Sequence, residues 1–232
     1  MNQPMNHAPL ASGQTSPPAP LAPVDVIVLG ASAGGVDAFL KILSALPASF
    51  TLPLVAVVHL PRDQPSLLVE VLGARAHLAV REAGDKDRLL PGLVIAPPDY
   101  HMLLDVDRGG RHLAGAQDVH LALSNDAPVS YSRPSIDVLF QSAAEVFGPR
   151  VAGVVLTGAN DDGALGLQAI KAYGGLCAVQ SPDEAPARAM PEAAIASAKP
   201  QLVAPLHDLI QWLLALDAQR AGDTEGTVVH ER

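Results

Sequence analysis

The strongest constraint on the fold is a series of short, almost purely aliphatic runs that recur along the chain. Helix-like amphipathic segments separate most of them, and they read VDVIVLG (24–30), LPLVAVVH (52–59), GLVIAPP (92–98), VAGVVLTG (151–158), LCAVQ and QLVAP. Strands with apolar side chains on both faces are typical of a parallel sheet covered by helices on each side. We therefore predict an α/β fold with a doubly wound, mostly parallel sheet flanked by helices.

One stretch departs from this alternation. HMLLDV (101–106) and RHLAG (111–115) flank the turn residues DRGG, which predicts an antiparallel β-hairpin added to the main sheet. The next helix is predicted to begin at PSIDVLF, with Pro134 in its first turn. We assign one folded domain to residues 24–220, a disordered tail rich in Pro, Ala and Ser to 1–23, and a flexible tail to 221–232.

Charge and composition exclude several classes of protein. The formal net charge of −9 argues against general nucleic-acid binding, which requires a basic surface. No apolar run is long enough to cross a bilayer, and the first residues lack the pattern of a secretory signal, so we expect a cytoplasmic protein that is not embedded in a membrane. The single cysteine, Cys177, excludes an internal disulfide and a cysteine zinc cluster, and we predict neither a metal nor an organic cofactor.

Three kinds of chemically active side chain follow the aliphatic runs. Ser32 follows VIVLGA, His59 follows LVAVV directly, and Asp161 and Asp162 follow VAGVVL in TGANDDG. In an open parallel sheet, ligands bind outside the carboxyl ends of the strands. A hydroxyl, an imidazole and a carboxylate at one sheet edge make up the composition of a serine hydrolase site, in which histidine activates the serine and the carboxylate orients the histidine.

The glycine-rich loop GASAGG admits two interpretations, a phosphate cradle or an exposed nucleophile. The phosphate reading is disfavoured because Ser32 stands where the dinucleotide fingerprint needs its second glycine, and no Lys-Ser or Lys-Thr pair follows. Gly30 and Gly34 instead suit the tight strand-to-helix turn of a nucleophile elbow. Taken singly, each residue also has a structural interpretation: a serine that caps a helix, a histidine satisfied at the sheet edge, or aspartates that cap the next helix.

Six segments in a fixed order resemble a known family over roughly residues 24–205. They are IVLGASAGG, VVHLP, LPGLVIAPPDYHM, SRPSIDVLF, VVLTGANDDGALG and AMPEAAI, and they are similar to the chemoreceptor methylesterases (protein-glutamate methylesterase/glutaminase) of bacterial chemotaxis. The resemblance implies an enzyme without cofactors that hydrolyses glutamate γ-methyl esters on the cytoplasmic helices of methylated chemoreceptors. Deamidation of receptor glutamines is implied as a second activity.

The resemblance also implies roles for individual residues. By motif, Ser32 is similar to the nucleophile, His59 to the base and Asp162 to the orienting carboxylate. The remaining implied positions are the backbone N–H groups of Ala33 and Ala159 for the oxyanion, and Arg133 in the substrate cleft. The chain departs from the family pattern at Ala33, where threonine is frequent, at Ala159 and Asn160, where Met-Gly is usual, and at Ser132, where histidine is common.

The usual family member carries an N-terminal receiver domain, whereas only a short tail precedes Val24. We therefore expect a protein that is not switched by its own phosphorylation, and that is either constitutively active or controlled by a separate regulatory protein. Two alternatives to a receptor methylesterase remain open at this point. One is a general serine carboxylesterase on another α/β scaffold, and the other is a regulatory or binding module with a degenerate site.

Overall fold

A computed structural model describes residues 23–60, 67–106 and 118–227, with side chains described as far as residue 221. The predicted tail over 1–23 lies almost entirely outside these ranges. The strands are β1 (Val26–Ala31), β2 (Pro53–Val58), β3 (Val80–Glu82), β4 (Gly92–Ile95), β5 (His101–Val106), β6 (Val119–Ser124), β7 (Val151–Val155), β8 (Leu176–Gln180) and β9 (Leu202–Ala204). The helices are α1 (Gly35–Ala45), α2 (Leu68–Gly73), α3 (Ile136–Phe147), α4 (Ala164–Ala172), α5 (Ala189–Ala198) and α6 (Leu206–Thr227).

Seven strands form the main sheet in the order β3-β4-β2-β1-β7-β8-β9, and all their pairings are parallel. β2, β3 and β4 lie on one side of β1, and the later strands β7, β8 and β9 lie on its other side. The strand order therefore reverses between β1 and β7, which is the position where open α/β sheets form their ligand clefts. The predicted α/β fold is confirmed.

The aliphatic runs form this sheet because their alternate side chains are buried against two separate layers. In β1, Val26 and Val28 face a core shared with α3, α4, α5 and the small sheet, whereas Ile27 and Leu29 face a core shared with α1, α2 and α6. Burial on both faces explains why these strands read as continuous apolar sequence. Within the described ranges, none of the helices combines the length and hydropathy needed to cross a bilayer.

The antiparallel addition is confirmed, but its second strand differs from the prediction. β5 pairs antiparallel with β6, in a register that runs from His101 opposite Ser124 to Val106 opposite Val119. The predicted second arm, RHLAG at 111–115, lies outside the described residues. The observed pairing is favoured because Val119 and Leu121 join the same buried core as Met102 and Leu104.

Two helix boundaries also differ from the sequence prediction. Helix α3 begins at Ile136 rather than at Pro134, which lies before the helix and is joined to Arg133 by a cis peptide bond. Ser135 occupies the N-cap position in an extended conformation. Helix α6 continues to Thr227, beyond the predicted domain boundary at 220.

Candidate active site

The register of the sheet brings the predicted serine and histidine to neighbouring strand ends. Ala31 pairs with Val58 at the end of β1 and β2, so Ser32 and His59 are the next residues along adjacent strands. The backbone N–H of His59 donates to the Ala31 carbonyl at 3.0 Å. Adjacent strands lie about 4.8 Å apart. Both residues line one cleft at the reversal point of the sheet, although no hydrogen bond joins the Ser32 hydroxyl to His59 among the described contacts.

Thr157, the second residue after β7, holds the loop that carries Ser32. Its carbonyl accepts the Ser32 backbone N–H at 2.9 Å, and its buried hydroxyl donates to the Ala33 carbonyl at 2.9 Å. The Thr157 N–H donates in turn to the Gln180 side chain at 2.9 Å. These bonds fix the loop that carries Ser32 to the end of β7, the strand that precedes the predicted carboxylate.

The structure brings His59 to Asp162 rather than to Asp161. His59 Nε2 lies 2.9 Å from Asp162 Oδ2, and the Asp162 side chain is completely buried whereas Asp161 is exposed. An ionised carboxylate accepts hydrogen bonds only, so Nε2 carries the proton in this pair. Nδ1 is then the nitrogen with a lone pair, and it is the atom available to take a proton from a nearby hydroxyl.

Asp162 is held by the beginning of α3 as well as by His59. Its Oδ1 accepts the Ser135 hydroxyl at 2.8 Å and the Asp137 N–H at 3.0 Å, while its Oδ2 also accepts the Ile136 N–H at 2.8 Å. Burial by itself raises the pKa of Asp162, but these bonds and the one from His59 outweigh it and lower the pKa below its ordinary value. The carboxylate therefore stays charged and keeps the imidazole oriented.

A second buried carboxylate, Asp137, completes a reciprocal arrangement of two helix N-termini. Asp162 stands before α4 and accepts the first N–H groups of α3, whereas Asp137 stands in the first turn of α3 and accepts two N–H groups from the start of α4. Those donors are Gly163 at 2.9 Å and Gly166 at 2.6 Å, both to Oδ1. Burial raises the pKa of Asp137 to about 6, with the nearby charges of Asp162 and Asp161 adding to the rise and the two N–H donors opposing it.

Two glycines permit this close approach of α3 to the strand ends. A Cβ on Gly30 would lie 2.3 Å from Ile136 Cγ2, and a Cβ on Gly163 would lie 2.8 Å from the same atom. Gly163 also has a φ of 99°, which favours glycine. Gly30 was predicted to allow a tight turn, and the structure gives it a further role, since the space beside it is filled by the first residue of α3.

The predicted oxyanion donors lie on the two loops that flank the cleft. Ala33 follows Ser32 directly and Ala159 follows β7, and both are exposed. Within the described part of the chain, the backbone N–H groups of Ala33 and Ala159 have no hydrogen-bond partner. Unpaired backbone N–H groups can stabilise an oxyanion when they face the reacting carbonyl, and the assignment of Ala33 and Ala159 to this role stays a prediction.

Arg133, which was predicted to contact substrate, lines the cleft, and its side-chain nitrogens donate hydrogen bonds to other residues of the protein. Its Nε and Nη2 donate to Asp99 Oδ1 at 3.0 and 2.7 Å, and its Nη1 donates to the carbonyls of Asn125 and Asp126 at 2.9 and 3.0 Å. These contacts tie the segment of Arg133, which lines the cleft, to two other segments of the chain. The role of Arg133 in binding substrate stays a prediction.

Sequence reasoning missed several residues that position the site. Asp137 and Ser135 lie in the quoted motif SRPSIDVLF, and the signal was a pair of polar residues at the start of an otherwise apolar helix.

His101 is buried and accepts the Ser135 N–H on Nδ1 at 3.2 Å. Its Nε2 lies 3.1 Å from the Ala127 carbonyl, so His101 has a structural role. Asn160 also lines the cleft, with its Nδ2 at 3.5 Å from Ser132 Oγ.

The cleft has a volume of about 250 Å³ and is lined by Ser32, His59, Leu60, Tyr131, Ser132, Arg133, Pro134 and Asn160. A hydroxyl and a histidine oriented by a buried carboxylate both line this cleft, and these are groups that acyl transfer by a serine hydrolase requires. Among the described residues, no three His, Cys, Asp or Glu side chains converge as metal ligands.

Comparison with known proteins gives a consistent result. A family model described as CheB methylesterase matches residues 27–213. A Leptospira interrogans protein named "Putative protein-glutamate methylesterase/protein-glutamine glutaminase" is 38% identical over 194 residues, which cover 83% of this chain and 95% of that protein. The protein-glutamate methylesterase/protein-glutamine glutaminase of Moorella thermoacetica is also 38% identical over 194 residues, covering 83% of this chain but 44% of its own length.

A solved structure shows the same fold. The crystal structure of the Thermotoga maritima CheB methylesterase catalytic domain matches with a TM-score of 0.76 and 29% identity, covering 83% of this chain and 98% of that domain.

Proposed function

The chain belongs to the CheB methylesterase family, and we propose that it hydrolyses γ-methyl esters of glutamate side chains in a chemoreceptor, with Ser32 as the nucleophile. The observation that carries this proposal is the 2.9 Å contact between His59 Nε2 and buried Asp162, at the strand end next to Ser32. We also propose that the enzyme acts on the cytoplasmic helices of the receptor and requires no cofactor.

The proposed reaction has two halves. His59 Nδ1 takes the proton of the Ser32 hydroxyl as its oxygen attacks the ester carbonyl, and the backbone N–H groups of Ala33 and Ala159 stabilise the oxyanion. The tetrahedral intermediate collapses, the bond to the methoxy oxygen breaks, and His59 returns the proton so that methanol leaves. Water then attacks the acyl-enzyme, again losing a proton to His59, and the γ-carboxylate and the Ser32 hydroxyl are released.

Asp162 supports both halves by holding the imidazole. It keeps Nε2 protonated and stabilises the imidazolium that forms when Nδ1 accepts a proton. The hydroxyl and imidazole share the cleft without a hydrogen bond, and such contacts tighten when substrate binds. The two residues follow paired positions of adjacent strands, which places their backbones side by side.

The test is release of methanol from a chemoreceptor labelled on its methyl esters. We expect turnover by the wild-type chain and a loss of at least about a thousandfold in Ser32→Ala. Ser44→Ala, which removes an exposed hydroxyl bonded only to the Lys41 carbonyl, serves as the control and should retain wild-type activity. Ammonia release from receptor glutamines, measured in parallel, tests the deamidation expected from the names of the relatives.

Two outcomes would contradict the proposal. Hydrolysis of small aryl esters without any release from receptor would indicate a general serine carboxylesterase. No turnover of either substrate by folded wild-type protein would indicate a binding or regulatory module.

A further inference from the structure

The rim of the cleft carries a strained two-residue turn. Val129 and Ser132 exchange two backbone hydrogen bonds, with N···O distances of 3.1 and 2.8 Å, around the central residues Ser130 and Tyr131. Both central residues have positive φ, 47° and 61° respectively. This is the geometry of a type I′ turn, which asparagine and glycine normally occupy. A bulky aromatic residue in this conformation is an outlier, and such outliers cluster where the position of a side chain matters for function.

The turn projects the Tyr131 side chain out of the protein at the mouth of the cleft. Tyr131 is 98% exposed, the highest value among the large apolar side chains of the described residues, and it lines the same cleft as Ser32 and His59. A ring with this exposure adds almost nothing to the hydrophobic stabilisation of the fold. Burial of apolar surface therefore does not account for an aromatic residue at this position.

The base of the turn is braced, so the ring is presented from a fixed frame. Arg133 follows the turn directly and bonds Asp99 with two donors and the carbonyls of Asn125 and Asp126 with a third nitrogen. Asp99 itself has a φ of 63° and precedes Tyr100, which is 46% exposed. A binding residue held in place before the partner arrives loses less freedom on binding.

The size of the cleft determines what must lie against this rim. Its volume of about 250 Å³ is below the roughly 300–1,000 Å³ typical of pockets for drug-sized ligands. Such a cleft accepts a single esterified side chain, whereas the polypeptide that carries this side chain remains outside. The polypeptide must therefore cross the rim from which Tyr131 projects.

We propose that Tyr131 is a docking residue for the polypeptide segment of the substrate protein that flanks the esterified glutamate. This inference rests on the proposed function and adds a specificity residue to the same site. Tyrosine is enriched among residues that dominate binding because its ring offers a large contact area with few rotatable bonds. In this role Tyr131 acts on recognition of the protein substrate and not on the ester chemistry.

The experiment compares two substrates, a methyl-labelled chemoreceptor and a small aryl ester. Tyr131→Asn removes the ring and places a residue that tolerates positive φ in the turn, so the variant should fold at least as well as the wild type. Tyr131→Phe keeps the ring. Tyr173→Asn is the matched control, because Tyr173 is 44% exposed at the C-terminal end of α4, at the opposite edge of the sheet from the cleft.

For Tyr131→Asn we expect kcat/KM on receptor to fall roughly tenfold, mainly through KM, and kcat/KM on the aryl ester to fall by a clearly smaller factor, because the small ester reaches only the part of the ring that lines the cleft. Tyr131→Phe should keep most of the activity on receptor, and Tyr173→Asn should match wild type on both substrates. An unchanged kcat/KM of Tyr131→Asn on receptor would overturn the docking role. An equal loss on both substrates would overturn it as well, because it would place Tyr131 in the chemistry or in the fold.

The same experiment separates failure of the docking proposal from failure of the proposed function. If wild type releases methanol from receptor and only the Tyr131 comparison fails, the proposed function stands and the docking residue is wrong. If wild type releases none, the proposed function fails, and the docking surface is refuted with it because its occupant is not a substrate.

Discussion

Replacement of Asp137 by asparagine removes one buried charge while leaving both helix caps in place. The Oδ1 atom of Asp137 accepts the N–H groups of both Gly163 and Gly166. An asparagine side chain can keep its carbonyl oxygen in the same position, so the start of α4 retains its acceptor. The variant therefore isolates the effect of the second negative charge beside Asp162.

The structure sets the magnitude and the sign of the effect on stability. Folding raises the pKa of Asp137 from 3.8 to about 6, and since each unit corresponds to about 1.4 kcal/mol, the difference amounts to roughly 3 kcal/mol. The protonated form of Asp137 is the one that the fold favours. Its stabilisation is complete below about pH 4, where the unfolded chain is also protonated, and is lost as pH rises through about 6.

The measurement is urea unfolding of wild type and Asp137→Asn at several pH values from 4 to 8, followed by the fluorescence of Trp212, the single tryptophan. The free energy of unfolding of wild type, relative to the variant, should fall by about 2.5 kcal/mol between pH 4 and pH 7, because part of the roughly 3 kcal/mol is already lost at pH 4. Asp183→Asn is the control, since that side chain is 91% exposed and the variant should follow wild type. A difference between wild type and Asp137→Asn that stays constant with pH, or that changes in the opposite direction, would refute the reasoning.

Three further predictions concern the same site and the core. Asp162→Ala leaves buried donors at the start of α3 without an acceptor. We therefore expect the free energy of unfolding in urea to fall by at least about 3 kcal/mol, and methanol release to be lost. A stability equal to wild type would contradict the capping role. Gly30→Ala places a Cβ 2.3 Å from Ile136 Cγ2. This overpacking should lower the free energy of unfolding by about 1–3 kcal/mol in the same assay. An unchanged free energy of unfolding would show that α3 moves freely. Cys177 is fully buried and burial raises the pKa of its thiol to about 12, so a thiol reagent should label it only after unfolding, and labelling of the native protein would contradict its burial.

Local sequence was sufficient for the sheet and for the placement of two of the three proposed triad residues. Apolar runs buried on both faces predict a parallel sheet, and a polar residue directly after such a run must lie at its carboxyl edge. Ser32 and His59 meet these conditions, and the pairing of Ala31 with Val58 places them side by side. Strand position alone leaves Asp161 and Asp162 equivalent, because both follow the same strand. The family resemblance pointed to Asp162, and the fold buries Asp162 and leaves Asp161 exposed.

Packing between segments far apart in the chain decided the remaining features. Asp137 and Asp162 are 25 residues apart, and each accepts the N-terminal donors of the other's helix only because α3 packs against the loop before α4. The engagement of Arg133 with Asp99, 34 residues away, is decided in the same manner. Periodicity and motif spacing indicate which face of a helix or strand is buried. They do not indicate that the N-terminal ends of two particular helices, here α3 and α4, lie in contact. Such contacts depend on the angles and distances at which whole elements pack, so they are properties of the tertiary structure.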